Sequence, residues 1–233
     1  TLIDTARNIE AMGVAAFVVR AKQSGSAALI ARHVGVPVLN AGDGRHEHPT
    51  QGLLDIYTLC EHFARKDFSL AGLRVAIVGD VNASRVARSN IAGMTTLGAE
   101  VTCVGSPSLA PRSLETLGCR VTDDLDGVLP TMDAVMMLRI QFERYDSAPG
   151  GAGAGDKKPN VIASVREYRA RYALTSEREA RMKPGAVVMH PGPINRGIEL
   201  DAEVADGARS LILKQVTNGV YVRMAALRGL VAK

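Results

Sequence analysis

Leu73-Arg74-Val75-Ala76-Ile77-Val78-Gly79-Asp80-Val81-Asn82-Ala83-Ser84-Arg85 decides the fold class. The run to Val78 is short, apolar and closed by glycine, as a strand buried on both faces reads. A polar turn follows. Ser84 then stands before a helical pattern that continues to about Leu97, and Glu100–Val104 reads as the next strand. Strand, turn, helix, strand is the repeat of a parallel α/β sheet. The turn lacks Gly-x-Gly-x-x-Gly, and Asp80 occupies a place where close approach of a pyrophosphate wants glycine, so a dinucleotide is disfavoured. Arg85 falls in a first helical turn, where the macrodipole favours acids. Two readings stand for it: an anion bound there, or a solvated guanidinium.

Upstream, the same rhythm holds. Leu2, Ile3, Ala6, Ile9 and Met12 form a helical stripe stopped at Gly13, and Val14–Val19 reads as a strand that leaves Arg20 at its carboxyl end. A helix over Ser24–Val34 and a strand over Val36–Leu39 lead to a turn-forming stretch, Asn40-Ala-Gly42-Asp43-Gly44-Arg-His46-Glu47-His48. Pro49 opens the next helix, which runs to about Arg65. His48, Thr50 and Gln51 are thereby set beside unsatisfied helix N-terminal amides, a natural anion site. Lys66–Gly72 reads as a linker.

Downstream, residues 110–118 read as helix, Arg120–Thr122 as strand, Asp124–Leu129 as helix and Asp133–Leu138 as a strand running into Arg139-Ile140-Gln141. Ligand sites of open α/β sheets gather at such carboxyl ends. Asp146–Lys158, rich in Gly, Ala and Pro, is expected to be a mobile surface loop. Helices over Ser164–Tyr172 and Thr175–Met182 precede a strand, Ala186–Met189, and the loop His190-Pro191-Gly192-Pro193-Ile194-Asn195-Arg196-Gly197. Prolines beside a glycine suit that loop to presenting main-chain carbonyls in fixed directions. A terminal helix over Leu211–Lys233 is expected to pack back on the first domain through Val216, Val220, Val222, Ala226, Leu227 and Leu230. The fold class is therefore α/β, two parallel-sheet domains linked by helices. The expected boundaries are 1–65, 66–213 and a terminal helix over 214–233.

The 233 residues are 46% hydrophobic, enough to bury a substantial core. A net charge of +4 would fit a polyanion, but the 28 Lys and Arg are dispersed among 24 acids and aromatics are only 4%, so no nucleic-acid partner is expected. Three widely spaced cysteines with no Cys-x-x-Cys pair, no leader and no apolar run long enough for a bilayer point to a reducing cytoplasm and no membrane. His46-Glu47-His48 lacks further ligands at site spacing, so no metal is expected. His33 and His62 read as ordinary helix histidines, Arg7, Arg166, Arg169 and Arg171 as solvated, and His190 as a brace for its loop.

His48-Pro49-Thr50-Gln51 behind Asn-Ala-Gly-Asp-Gly, Arg139-Ile140-Gln141 at a strand end, and His190-Pro191-Gly192-Pro193 with a following Arg-Gly together resemble the catalytic chain of the aspartate carbamoyltransferase family. The resemblance covers essentially the whole chain. It implies transfer of a carbamoyl group from carbamoyl phosphate to the amine of L-aspartate in pyrimidine biosynthesis, without a cofactor. It also implies a homotrimer whose active sites lie between the domains and are shared between neighbours, with room for regulatory or dihydroorotase partner chains. By position, Arg20 and His48 match the donors to the carbonyl oxygen or phosphate, and Gln51 the contact to the carbamoyl amide. Arg85, Arg139 and Gln141 match the aspartate contacts. Gly192 and Pro193 match the loop whose carbonyls hold the carbamoyl amino group.

The family's Ser-x-Arg-Thr phosphate loop and the Ser and Lys loop donated by a neighbour are not found in these residues. The expectation is a first domain truncated at its N-terminus, with the activity of this chain alone reduced by orders of magnitude. Two rival functions remain in view. An ornithine carbamoyltransferase would hold a cationic substrate, which Arg85 and Arg139 oppose, and that family typically has Cys where Thr50 stands. A noncatalytic homologue would keep the fold for assembly or regulation.

Overall fold

The computed structural model describes residues 1–140, 162 and 164–232. They divide into two units, one made of Thr1–Ala71, Ala83–Gly98 and Leu213–Lys233, the other of Gly72–Asn82 and Ala99–Ile212. The helix following Ser84 thus goes with the first unit, while the strands on either side of it go with the second.

The first unit opens with α1 (Leu2–Glu10), closed at its start by a capping box between Thr1 and Asp4. Strands β1 (Phe17–Ala21) and β2 (Val38–Asp43) pair in parallel, with α2 (Ser26–Ala31) between them. Both strands begin later than their apolar runs, and β2 continues through residues that read as turn. The reason is local. Asn40 Nδ2 donates to Asp43 Oδ1 at 2.9 Å and the Gly42 amide donates to Asn40 Oδ1 at 2.8 Å, so side chains replace the partners a turn would have supplied. Pro49 then starts α3 (Pro49–His62).

Helix α4 (Arg85–Thr96), capped by Ser84, crosses α3 where glycines let the backbones close. A Cβ on Gly52 would meet Ser89 Cβ at 3.1 Å, and one on Gly93 would meet Ile56 Cδ1 at 2.6 Å. The long α9 (Ile212–Val231) lies in the same unit; of its expected packing residues Val222, Ala226, Leu227 and Leu230 are half-buried, but its first turns do not use the apolar face. Val216 and Val220 are 65% and 55% exposed, while Gln215 and Asn218 are 2% and 1% exposed. Polar side chains face inward because α3 buries polar partners. Asn218 Nδ2 donates to Thr58 Oγ1 at 3.1 Å, and Gln215 Nε2 to Asp55 Oδ1 at 2.8 Å.

The second unit is a five-stranded parallel sheet in the order β5-β4-β3-β6-β7. Its strands are β3 (Arg74–Val78), β4 (Glu100–Val104), β5 (Arg120–Thr122), β6 (Ala134–Met137) and β7 (Val187–Met189). Ile77 pairs with Cys103 on one side and Met136 on the other. Residues 110–118, read as one helix, form instead a 3₁₀ helix over Arg112–Leu117 behind Pro111. Among the described residues the unit also has the α-helices α5 (Leu125–Val128), α6 (Val165–Tyr172), α7 (Ser176–Ala180) and α8 (Ala202–Ala205), with a 3₁₀ turn over Leu129–Thr131. Val78, Val135, Met137, Tyr168, Leu174, Val188 and Leu200 belong to one buried core. Chain order runs outward from β3 to β5 and then returns to β6 on its other side, so the sheet reverses direction between β3 and β6. Ligands bind at the carboxyl edge of such a switch point.

Arg169 keeps part of the solvent exposure its helical position suggested, but it also has partners. It donates to Gly197 O at 3.0 Å and pairs with Asp201 at 2.6 Å, tying α6 to the loop after β7. The expected mobile loop, Asp146–Lys158, lies outside the described residues. All three cysteines are buried and free, and no described helix is long and apolar enough to cross a membrane.

Candidate anion-binding site

In the first unit the site is built on the end of β2 and the start of α3. Asp43, 1% exposed, accepts from the Gly25 amide at 2.5 Å, from Asn40 Nδ2 at 2.9 Å, from His46 Nδ1 at 3.2 Å and from the Glu47 amide at 3.2 Å. Burial raises its pKa, but these bonds hold it below the ordinary carboxylate value. The loop is therefore pinned from within, and His48 is delivered as the residue before the first turn of α3.

His48 is 8% exposed, and its amide donates to Ser89 Oγ at 2.9 Å. Burial, followed by the guanidinium groups of Arg85, Arg20 and Arg223, pushes the imidazole pKa down to about 4. At neutral pH the ring is thus uncharged and offers a hydrogen bond, not a charge. Positive charge is supplied around it. Arg20 lies at the irregular end of the β1 pairing, where the register shifts between Val19 and Ala21, and its side chain is exposed. Arg85, 8% exposed, turns from the start of α4 to Gly44, donating through Nη1 to the carbonyl at 3.4 Å. Gly42 has φ 111°, and a Cβ there would stand 2.7 Å from Arg85 Nε. That glycine makes room for the guanidinium.

Gln51, 7% exposed, donates through Nε2 to Asp55 Oδ1 at 2.9 Å, one turn further along α3. Asp55 has no exposed surface, and its pKa is pushed up to about 6 by burial, against the hydrogen bonds of Asn90, Gln215 and Gln51. Sequence reasoning missed both Asp55 and Arg223. An acid at one helical position and an arginine among many carry no signal until the packing is known.

In the second unit, Arg139 comes two residues after the end of β6 and is half-buried at the sheet's switch point. Gly79, at the end of β3, could not carry a side chain, since a Cβ would meet Tyr168 Oη at 2.9 Å and Leu138 O at 3.1 Å. Gln141 lies outside the described residues. Gly192 and Pro193 are exposed at the tip of the loop after β7, joined by a cis peptide bond, with Gly192 at φ 67°. The Gly192 amide donates to His190 Nδ1 at 2.8 Å, so the ring's proton sits on Nε2, 3.3 Å from Glu199 Oε1. Glu199 Oε1 also accepts the Asn195 amide at 2.6 Å. His190 braces the loop from beneath, as its position before Pro191 indicated. Among the described residues no cluster of His, Cys, Asp and Glu could hold a metal ion.

Taken by unit, this is an α/β protein with guanidinium groups and a neutral imidazole at strand and helix ends, the equipment of an enzyme handling anionic substrates. Residues 1–61 match the carbamoyl-P binding domain of the aspartate/ornithine carbamoyltransferases and residues 71–230 match their Asp/Orn binding domain, so the chain belongs to that family. It is 54% identical over 227 residues to the aspartate carbamoyltransferase catalytic subunit of Myxococcus xanthus, covering 97% of this chain and 71% of the relative. Its fold is similar to that of the ornithine carbamoyltransferase of Thermus thermophilus, with a TM-score of 0.79 at 25% identity, covering 99% of this chain and 71% of the other. It is also similar to the aspartate transcarbamoylase of Trypanosoma cruzi, solved with aspartate and phosphate, with a TM-score of 0.76 at 26% identity, covering 97% and 67%.

Proposed function

We propose that this protein is an aspartate carbamoyltransferase catalytic chain, which forms N-carbamoyl-L-aspartate and phosphate from carbamoyl phosphate and L-aspartate. The observation that carries the reading is the buried His48, held neutral in the field of three arginines at a helix start. A dianionic acyl phosphate needs cationic partners, whereas its carbonyl needs a donor that keeps its proton. In the reaction the aspartate nitrogen bonds to the carbonyl carbon, the bond from that carbon to the phosphate oxygen breaks, and an amine proton leaves with the phosphate. Charge builds on the carbonyl oxygen meanwhile. His48 and Arg20 donate to it, an effect worth about 3 kcal/mol for one well-placed donor. Gln51 and the carbonyls of the Gly192–Pro193 loop take the carbamoyl amino group. Arg85, Arg139 and Gln141 take the carboxylates of aspartate, which guanidinium forks engage in pairs.

The close similarity to the Myxococcus catalytic subunit favours aspartate over ornithine, and the arginine set supports it, since a cationic side chain would be repelled. In the same reading the region 1–65 is the carbamoyl phosphate domain, 66–213 the aspartate domain and 214–233 a helix returned to the first. The assembly is a cytoplasmic homotrimer. The test is product formation from carbamoyl phosphate with L-aspartate or L-ornithine as acceptor. Preference for aspartate by about 100-fold or more is expected, and equal or better use of ornithine would defeat the assignment.

A further inference from the structure

Gln51 is anchored at one end only. Its Nε2 donates to Asp55 Oδ1 at 2.9 Å, and the same oxygen accepts Gln215 Nε2 at 2.8 Å, while Oδ2 accepts Asn90 Nδ2 at 2.7 Å. Asp55 is wholly buried, Gln51 is 7% exposed, and all four side chains belong to the first unit. A primary amide has a donor face and an acceptor face of nearly identical shape, and nothing in its own structure selects between them. An ionised carboxylate only accepts, so it selects. Reversing Gln51 would set its carbonyl oxygen against the buried carboxylate and leave a donor facing outward, a costly exchange beside a carboxylate with no exposed surface.

We propose that Asp55 is a positioning residue that fixes the amide of Gln51 with Oε1 toward the ligand, giving the site its preference for a carbamoyl amino group over a methyl group of the same size. The proposal rests on the reading of Gln51 as the carbamoyl contact. An acceptor at this point rewards N–H, gains nothing from C–H and repels a carbonyl or carboxylate oxygen placed there. With the acceptor fixed, a ligand need not spend binding energy turning it.

Two stable phosphonates test this without requiring turnover. Phosphonoacetamide carries the amide nitrogen, and 2-oxopropylphosphonate has a methyl group in its place. Calorimetric dissociation constants would be measured on the full chain and its variants. The wild type is expected to bind the amide about tenfold or more tightly than the ketone, the worth of one well-made hydrogen bond. Asp55→Leu, close in size but without an acceptor, should bring the two affinities within about threefold of each other while the ketone's own affinity moves by less than that. Asp55→Asn, whose carbonyl can still accept from Gln51 and Gln215, should keep most of the preference.

Retention of the preference in Asp55→Leu overturns the proposal, as does an equal loss of affinity for both ligands, which is what a merely structural role gives. A wild type with no preference would instead defeat the reading of Gln51 itself. Should Asp55→Leu not fold, the wild-type protein decides through the Nε2 proton resonances of Gln51. Their movement in step with the Asp55 carboxyl titration supports the fixed orientation, and indifference to it overturns the proposal.

Discussion

His48 and Asp55 stand two turns apart on the same part of the chain and titrate in opposite senses. His48 has a pKa of about 4 against an ordinary 6.5, so the unfolded chain binds its proton more readily. Its contribution to stability is complete above pH 6.5 and is lost as pH falls toward 4. Asp55 has a pKa of about 6 against 3.8, so the folded state binds the proton more readily. Its contribution is complete below pH 3.8 and is lost as pH rises through 6. Each amounts to roughly 3 kcal/mol over its window, so the two nearly cancel in the intact protein. Urea unfolding from pH 4 to 7 should expose them separately. The stability of wild type relative to His48→Gln should rise with pH by about 3 kcal/mol, and relative to Asp55→Asn should fall by about as much. A flat difference in either pair counts against the corresponding environment. Gly42 supplies a further residue-scale test. Alanine there meets both the φ of 111° and a guanidinium 2.7 Å from the new Cβ, so Gly42→Ala should displace Arg85. A rise in the KM for aspartate of about tenfold is expected from the loss of one charged contact, and an unchanged KM would place Arg85 outside the aspartate contacts.

At the scale of elements, the α3–α4 crossing depends on having no side chain at Gly52. Valine there would press on the Ser89 backbone, whose carbon and oxygen lie 3.3 Å from a built Cβ, and a helix backbone cannot yield as a side chain does. Gly52→Val should cost about 2 to 3 kcal/mol, read as a lowered denaturation midpoint at unchanged slope. Gly93→Ala is the contrasting case, since only the tip of Ile56 must move. The gain in helix propensity of up to about 1 kcal/mol offsets that shift, and its stability should change little. The same elements show where sequence is readable. Strands β3, β4, β6 and β7 stand out because each is a short, largely apolar run that the sheet buries, closed by polar or turn residues. The inward face of α9 was hidden because Gln215 and Asn218 look like surface until Asp55 and Thr58 are known to lie beneath them. Strand β2 was cut short for a related reason, since Asn40 and Asp43 signal a turn by the very side-chain bonds that here finish a strand.

For the whole molecule, the motifs located most of the site because each sits at the end of a strand or the start of a helix, places the hydrophobic pattern marks. What was not readable is everything that tunes those residues: Arg223 near His48, Asp55 beneath Gln51, Glu199 beneath His190. Arg223 acts from a helix distant in sequence, and Asp55 and Glu199, though near in sequence, are charged residues whose burial only the packing reveals. The two units also differ in how much backbone they protect. Residues 134–137 of β6 and residues 75–78 of β3 are 0% exposed, and each of these two strands is paired on both sides, whereas Val18 in the two-stranded β1–β2 sheet is 59% exposed. Amides of the buried strands can exchange only through an opening that breaches the five-stranded core, while those of β1 need only a local separation from β2. Hydrogen exchange followed by mass spectrometry should therefore find peptides over Ala134–Met137 slower than those over Phe17–Ala21 by about 100-fold or more, a difference of roughly 2.7 kcal/mol in opening free energy. Equal rates would mean that the second unit opens as readily as the first, and that the switch-point edge carrying Arg139 is not the rigid platform its packing describes.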